Sequence, residues 1–495
     1  MAKDNIIEVL PVPAPTMGVI GNVPTTMLDP RACVKCNNVR FKNGIVSTRT
    51  GYKAYGTYTA ISSSHPIAFF RFQRFNGKEY EILATQDGVY YNKDGVWTAI
   101  SEGSDVVKGS FTRGFGMASI QNYFVYSDGY YAPKKWDGAS LTNLSDGKTT
   151  NWSDYRPYTL LPYKFRLCGF NDKGVIGTPI RMIYSVAGDF DNVNDTGSGY
   201  IDITDGMGVN LRGAALMGNW VGVYKDYSCI LMSYIGGAST FALNVQIDGI
   251  GLAAARALAN LGTYHIFLGS DLNVHKWNGG RELVHIGDPI KDEIRSEIKK
   301  AWIDYSFMVV NHYEGEVHLV IPIDDTSYPK RMWTWNIREE SWSRGTLAAT
   351  TAMGSVVKDG VERTLLARST DPVSVYHYDY ETLTDKGDAI STEFETGDFV
   401  IDKVEHLIKN RRFFGLGLDL KGYSTSSRLT LEYSIDEGEN WLGTSEKELT
   451  AAYALYDYDF LKTTRKVRFR FRDATSGQKW YLRFYGIKQK ERERK

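Results

Sequence analysis

The stretch Tyr264–Ile286 constrains the chain more than any other, because its plan recurs. An apolar run (Ile266-Phe267-Leu268) meets a Ser270-Asp271 turn, a short strand ends in Trp277, and Asn278-Gly279 turns the chain again. Asn-Gly is a strong hairpin signal, because both turn positions favour positive φ. The same plan runs through Glu81–Trp97, with turns at Asp87-Gly88 and Asp94-Gly95, and through Tyr123–Gly138, with a turn at Asp128-Gly129. Weaker copies span Val317–Trp342 and Leu365–Leu383. A β-meander repeated at irregular spacing, with an aromatic beside each polar turn, predicts an all-β chain built as a β-propeller.

With Tyr163–Val186 and Trp220–Tyr234 counted, the copies predict six or seven blades over residues 35–387. Thirty-two Tyr and 48 Gly suit short strands joined by tight turns. The Pro-rich residues 1–34 read as an extended segment, and the hairpin about Asn43-Gly44 is a candidate to complete the terminal blade. One helix is expected near 288–302, capped by Asp288, opened by Pro289 and burying Ile290, Ile294, Ile298 and Trp302. The Ala-rich Leu252–Leu261 is a candidate for a second, short one.

Composition changes near 386–392. Beyond it, Leu429, Leu431 and Tyr433, then Val467, Phe469 and Phe471, alternate with polar residues, as one-face-buried strands do. Residues 388–488 are therefore expected to form a C-terminal β-sandwich, followed by a charged tail over 489–495.

With 58 basic and 58 acidic residues, no bulk attraction to nucleic acid or membrane follows. Met1–Leu10 carries Lys3, Asp4 and Glu8 in place of an apolar signal core, and no run approaches a membrane span, so a soluble protein made in a reducing cytoplasm is expected. Cys33 and Cys36 have CxxC spacing without a second pair or a nearby His, and read as half-buried thiols. His265, His275 and His285 fall ten apart, a spacing that could bring them together on adjacent strands without fixing their directions. The acidic run Asp189–Gly197 departs from the calcium-loop pattern at Val193, Asn194 and Tyr200, and reads as an Asx-rich loop. Ser434, Asp436, Gly438 and Trp441 fit the Asp-box of sialidase-like propellers, in which the Asp holds turn amides and the Trp packs beneath. Lys466, Arg468, Arg470 and Arg472 form a basic stripe, read first as a solvated face and second as a dock for an acidic neighbour. There is no phosphate-binding loop, nucleophile elbow or zinc-protease motif, so the chain is read as a non-enzyme with no catalytic, cofactor-binding or metal residues and no cofactor.

Taken in order, several stretches resemble β-propeller structural proteins of bacteriophage tails, of the nozzle or hub type in short-tailed phages. They are Gly18-Val19 and Asn22, Leu28-Asp29-Pro30, Asn38–Phe41 with Gly44, Arg49 and Gly51-Tyr52, then Gly188–Asp191 and Trp220–Ile230. Gly249–Gly251, Ile266–Asp271, the Asp288-Pro289-Ile290 helix start and Trp333–Trp342 continue the series. The resemblance implies a homo-oligomer, a hexameric ring that continues the DNA channel below the portal and adaptor proteins. Tail fibres or tip proteins would be further partners, and genomic DNA would pass without specific binding. Location in the virion tail, after assembly in the host bacterial cytoplasm, also follows from it. The alternative expectation is a carbohydrate-binding or glycoside-hydrolysing propeller, although two placed carboxylates are not identifiable.

Overall fold

The computed structural model describes residues 8–13, 15–57, 64–93, 95–102, 107–145, 147, 151–174, 178–325, 328–400 and 410–491. The all-β expectation is borne out: short antiparallel sheets dominate. The chain divides into two compact units, one of Ala54–Arg331 with Leu347–His377 and the other of Met1–Lys53, Met332–Thr346 and Tyr378–Lys495. The second unit thus joins both ends of the chain, a different division from the contiguous segments read in the sequence.

In the first unit, sheets follow one another along the chain. Pro66–Gln73, Glu79–Thr85, Gly88–Lys93 and Val96–Glu102 form one, each strand beside its sequence neighbour. The plan repeats in Gly116–Ile120, Tyr123–Ser127, Lys134–Trp136 and Leu141–Asn143. It repeats in Pro157–Tyr163, Arg166–Asp172, Arg181–Tyr184 and Gly199–Asp202, and in Leu211–Met217, Trp220–Lys225, Ser228–Tyr234 and Phe241–Asp248. A three-stranded sheet of Leu258–Asn260, His265–Leu268 and Val274–Trp277 follows, then the hairpin Phe307–Asn311 with Glu316–Ile321. The last sheet is Thr350–Lys358, Val361–Arg368 and Asp371–Asp379, and Gly51–Thr57 returns to be its fourth strand. The Asn43-Gly44 hairpin does not make this closure; its strands join a sheet of the other unit, and the strand after it closes the last sheet.

Sheet faces pack in chain order. Phe72 and Ile82 of the sheet starting at Pro66 bury against Phe124 and Trp136 of the next, and Val125 against Leu167 and Ile183 of the one after. Phe170 and Met182 then meet Val223 and Ile230, and Tyr224 meets Phe267 and Trp277. The sequence of faces returns on itself: Leu365 and Val375 of the last sheet share a core with Phe69 and Leu83 of the sheet that starts at Pro66. The sheets starting at Pro66, Gly116, Pro157 and Leu211 each contribute to two such cores, so both of their faces are apolar and covered.

The other unit holds two sheets. One orders Ala454–Thr464, Arg411–Gly422, Trp480–Glu491, Ile45–Thr48 and Val39–Lys42, with Glu8–Pro13 also on the Trp480–Glu491 strand. The other includes Ser341–Thr346, Gly18–Val19, Ala32–Asn37, Thr392–Thr396, Lys466–Asp473, Arg428–Ser434 and Leu442–Glu448. Leu429, Leu431, Tyr433, Val467, Phe469 and Phe471 are all buried, as their alternation predicts. Phe471 and Phe399 of this sheet pack on Tyr485 of the first, with ring centroids 6.2 and 6.0 Å apart. Gly18 pairs in parallel with Trp342 at φ +73°, where a Cβ would lie 2.4 Å from the Trp342 carbonyl, so only glycine fits.

Three expectations need correction. The helix is shorter than read: it spans Lys291–Glu297, Ile290 takes the cap position, and Asp288 accepts from Asn273 Nδ2 at 2.8 Å. It stops because Lys299 N–H donates to the Pro322 carbonyl at 3.0 Å, which draws the chain into an extended conformation before the 3-10 turn Lys300–Tyr305. Ile290, Ile294 and Ile298 are buried, while Trp302 lies on that turn and stays partly exposed. Second, Leu252–Leu261 is no helix; Leu252 N–H donates to the Lys225 carbonyl and Leu258–Asn260 is a strand. Just before it, a Cβ on Gly251 would lie 2.2 Å from the Lys225 carbonyl, so the backbone passes close there. Third, the charged tail begins later than 489, because the last strand runs to Glu491, paired with Arg411–Phe413. Residues 492–495, like 1–7, 14 and the Asp94 turn position, lie outside the described residues. Among the described residues no helix is long and apolar enough to cross a membrane.

Candidate functional site

The repeated aspartates have a mechanical task. Asp128 accepts from Lys108 N–H at 2.7 Å, Asp172 from Arg156 N–H at 2.5 Å and Asp226 from Asn210 N–H at 3.0 Å. Each carboxylate sits at the end of the second strand of its sheet, or just after it, and holds the loop that leads into the first strand of the same sheet. In these three sheets the turn thus fixes where the first strand begins. The aromatic partners of the motif, Trp97, Trp136 and Trp277, are buried.

The three histidines separate into two environments. His265 turns to the Tyr224 hydroxyl and the Leu216 carbonyl. His275 and His285 do meet, Nδ1 to Nδ1 at 2.9 Å, and His275 Nε2 lies 2.8 Å from Asp271 Oδ1. A carboxylate only accepts, so the proton of the bond to Asp271 sits on His275 Nε2. Burial works to raise the Asp271 carboxyl, but the bonds from His275 and Asn273 N–H outweigh it and hold it below its ordinary value.

The basic stripe is not a solvated face. Arg468 pairs with Asp398 through two bonds of 2.9 Å, Arg470 and Arg472 converge on Glu432, and Lys466 pairs with Glu437. The sequence reading missed these partners because Asp398, in the link after strand Thr392–Thr396, and Glu432, on strand Arg428–Ser434, are far away in sequence. Arg470 also lies 4.1 Å above the Trp441 ring. In the Asp-box, Asp436 accepts from the Ser434 hydroxyl at 2.6 Å and from Asn440 N–H at 2.9 Å, which pulls its carboxyl down to about 2. Asp436 holds its own turn, as the motif predicts. In the acidic run, Asn192 Oδ1 accepts from Asn194 and Asp195 N–H at 3.1 Å each, and Asp191 pairs with Lys135. Cys33 and Cys36 are buried on one strand, where Cys36 Sγ accepts from Arg344 N–H at 3.3 Å.

What sequence reasoning missed is a cavity of about 300 Å³ in the first unit. Its wall takes residues from the first strand of one sheet after another: Phe69, Met117, Leu160, Ala214, Leu258, Phe307 and Met353. Arg113 and Arg256 also line it. Arg256 interrupts the Ala-rich stretch with no acidic residue within ten positions on either side except Asp248, a signal visible in the sequence but not used.

No protein-family model and no curated protein matches the chain. Among solved structures, it is similar to the Neurospora crassa Pan2 WD40 domain at 8% identity and TM-score 0.41, covering 67% of this chain and 95% of that one. It is similar to the N-terminal domain of Nup159 at 8% identity and TM-score 0.39, covering 66% of this chain and 95% of that one. PorZ, a surface component of the type-IX secretion system of Porphyromonas gingivalis, aligns at 9% identity and TM-score 0.36 over 66% of this chain. The chain spans only 37% of the PorZ chain.

Proposed function

We propose that the unit of Ala54–Arg331 and Leu347–His377 is a seven-bladed β-propeller and that the sheets beyond residue 388 belong to a β-sandwich. The cyclic order of face packing supports the propeller, and the wall of first strands around one cavity supports seven blades. The protein is a structural component of a bacteriophage tail, acting by assembly into a ring of copies through which DNA passes. It turns over no substrate in this reading.

The observation that carries assembly is a set of exposed aromatics at turns joining first and second strands. Phe75, Phe165 and Tyr313 are 85%, 83% and 78% exposed at three such turns. Antiparallel strands that repeat one plan put these turns at one end of every blade. Large rings left in water are costly, and where they gather they mark protein contacts. The self-paired basic stripe fits passage of DNA without gripping, because a phosphate would first have to displace Asp398 or Glu432. The ordered resemblance to phage nozzle and hub proteins supplies the kind of assembly.

Mass determination of the purified full chain, followed by electron microscopy, tests the reading. A closed ring, six copies by the resemblance, is expected. A chain that stays monomeric across the concentration range, alone and with the adaptor proteins of a short-tailed phage, would overturn it.

A further inference from the structure

The cavity holds chemistry that assembly does not use. Among the described residues, Arg113 and Arg256 are the only charged ones in its wall, and none there is Asp or Glu. Arg256 donates to two carbonyls, Phe111 O at 3.3 Å and Thr351 O at 2.8 Å, and lies 5.0 Å over the Phe307 ring. These partners carry partial charge only. Arg113 Nη1 is buried with no protein partner, although its guanidinium lies 5.6 Å over the Tyr158 ring. Arg256 passes beside Gly114, the chain neighbour of Arg113, since a Cβ on Gly114 would lie 3.2 Å from Arg256 Cγ.

Two other arginines of the same unit have carboxylate partners. Arg181 has Asp202, and Arg212 has both Asp226 and Asp304. A buried guanidinium without a counter-charge is expensive, and burial pushes Arg256 down to about 10, so it remains charged at neutral pH. An anion in the cavity would relieve that cost.

We infer that the cavity is a binding site for a small organic carboxylate, held by Arg113 and Arg256 with its carbon body against Leu160, Leu258, Met308 and Met353. Guanidinium groups suit carboxylates because their planar donors match two oxygens at once. The apolar part of the wall favours a carbon skeleton over a bare mineral anion. The volume equals the share of roughly ten waters, which admits a molecule the size of a short dicarboxylate.

Titration calorimetry of the full chain with sodium succinate, and separately with sodium phosphate, tests this at ionic strength matched with sodium chloride. Succinate is expected to bind one saturable site, and Arg113→Gln to weaken it about tenfold or more through loss of a charged hydrogen bond. Arg256→Met should abolish it. Should that variant fail to fold by circular dichroism, Arg113→Gln alone decides. Absence of saturable succinate binding, equal affinity in wild type and Arg113→Gln, or binding of phosphate alone would each overturn the assignment.

Discussion

The Tyr224 hydroxyl lies 2.7 Å from His265 Nδ1, and His265 Nε2 lies 2.8 Å from the Leu216 carbonyl. A carbonyl only accepts, so Nε2 carries the proton and Nδ1 must accept from Tyr224. The pair joins two adjacent sheets, and both side chains are fully buried. Burial holds His265 down to about 4. The unfolded imidazole titrates near 6.5, so between these values the unfolded chain takes up a proton that the folded chain refuses. Stability should therefore be flat in this respect above pH 6.5 and decline as pH falls from 6.5 to 4. Nitrogen NMR should find His265 neutral and protonated on Nε2 at pH 5. Tyr224→Phe should cost about 1–3 kcal/mol in urea unfolding, because it leaves a buried acceptor unsatisfied.

Removing Arg468 strands Asp398, whose side chain is 1% exposed. Arg468→Met is expected to destabilise its unit by about 3–5 kcal/mol. The double variant Arg468→Met with Asp398→Leu should recover much of that loss, since neither charge is then left alone. Thermal melts of the three proteins check this, and equal melting of the single and double variants would contradict it.

Asp436 titrates at about 2 because Ser434 and Asn440 donate to its ionised form. Its contribution to the turn is present above the ordinary value of 3.8 and is lost as pH falls through about 2. Ser434→Ala should move the Asp436 carboxyl up toward 3.8, as followed by carbon NMR of the side chain.

Replacing Phe75, Phe165 and Tyr313 by Ser should leave the melting of the isolated chain nearly unchanged, within roughly 0.5 kcal/mol each, since exposed side chains contribute little to folding. The same triple variant should lose ring assembly. Loss of stability with assembly intact would mean that these rings pack inward.

Periodicity was the most legible part of the chain. Leu429, Leu431 and Tyr433 alternate with polar residues because one face of their strand is buried, and the Asp-turn pattern recurs in part because Asp128, Asp172 and Asp226 each hold the loop into a first strand. The helix was legible in kind but not in length, since the Pro322 carbonyl that ends it is remote in sequence. Pairing between distant strands left no local mark, so neither the partners of Arg468 and Arg470 nor the strand that closes the last sheet could be read. The cavity was hidden for the same reason: its two arginines are separated by more of the chain than any local pattern spans.

The return of Gly51–Thr57 to the last sheet has a consequence in time. Its partner, Asp371–Asp379, lies about three hundred residues further on, which a ribosome making roughly 5–20 residues per second reaches only after some tens of seconds. Through that interval the strand has emerged with its edge unpaired, able to join a strand of a neighbouring nascent chain on the same polysome. Slowing translation downstream of residue 57 should therefore raise the yield of domain-swapped or aggregated product, while the finished chain, once clasped, resists opening from either end.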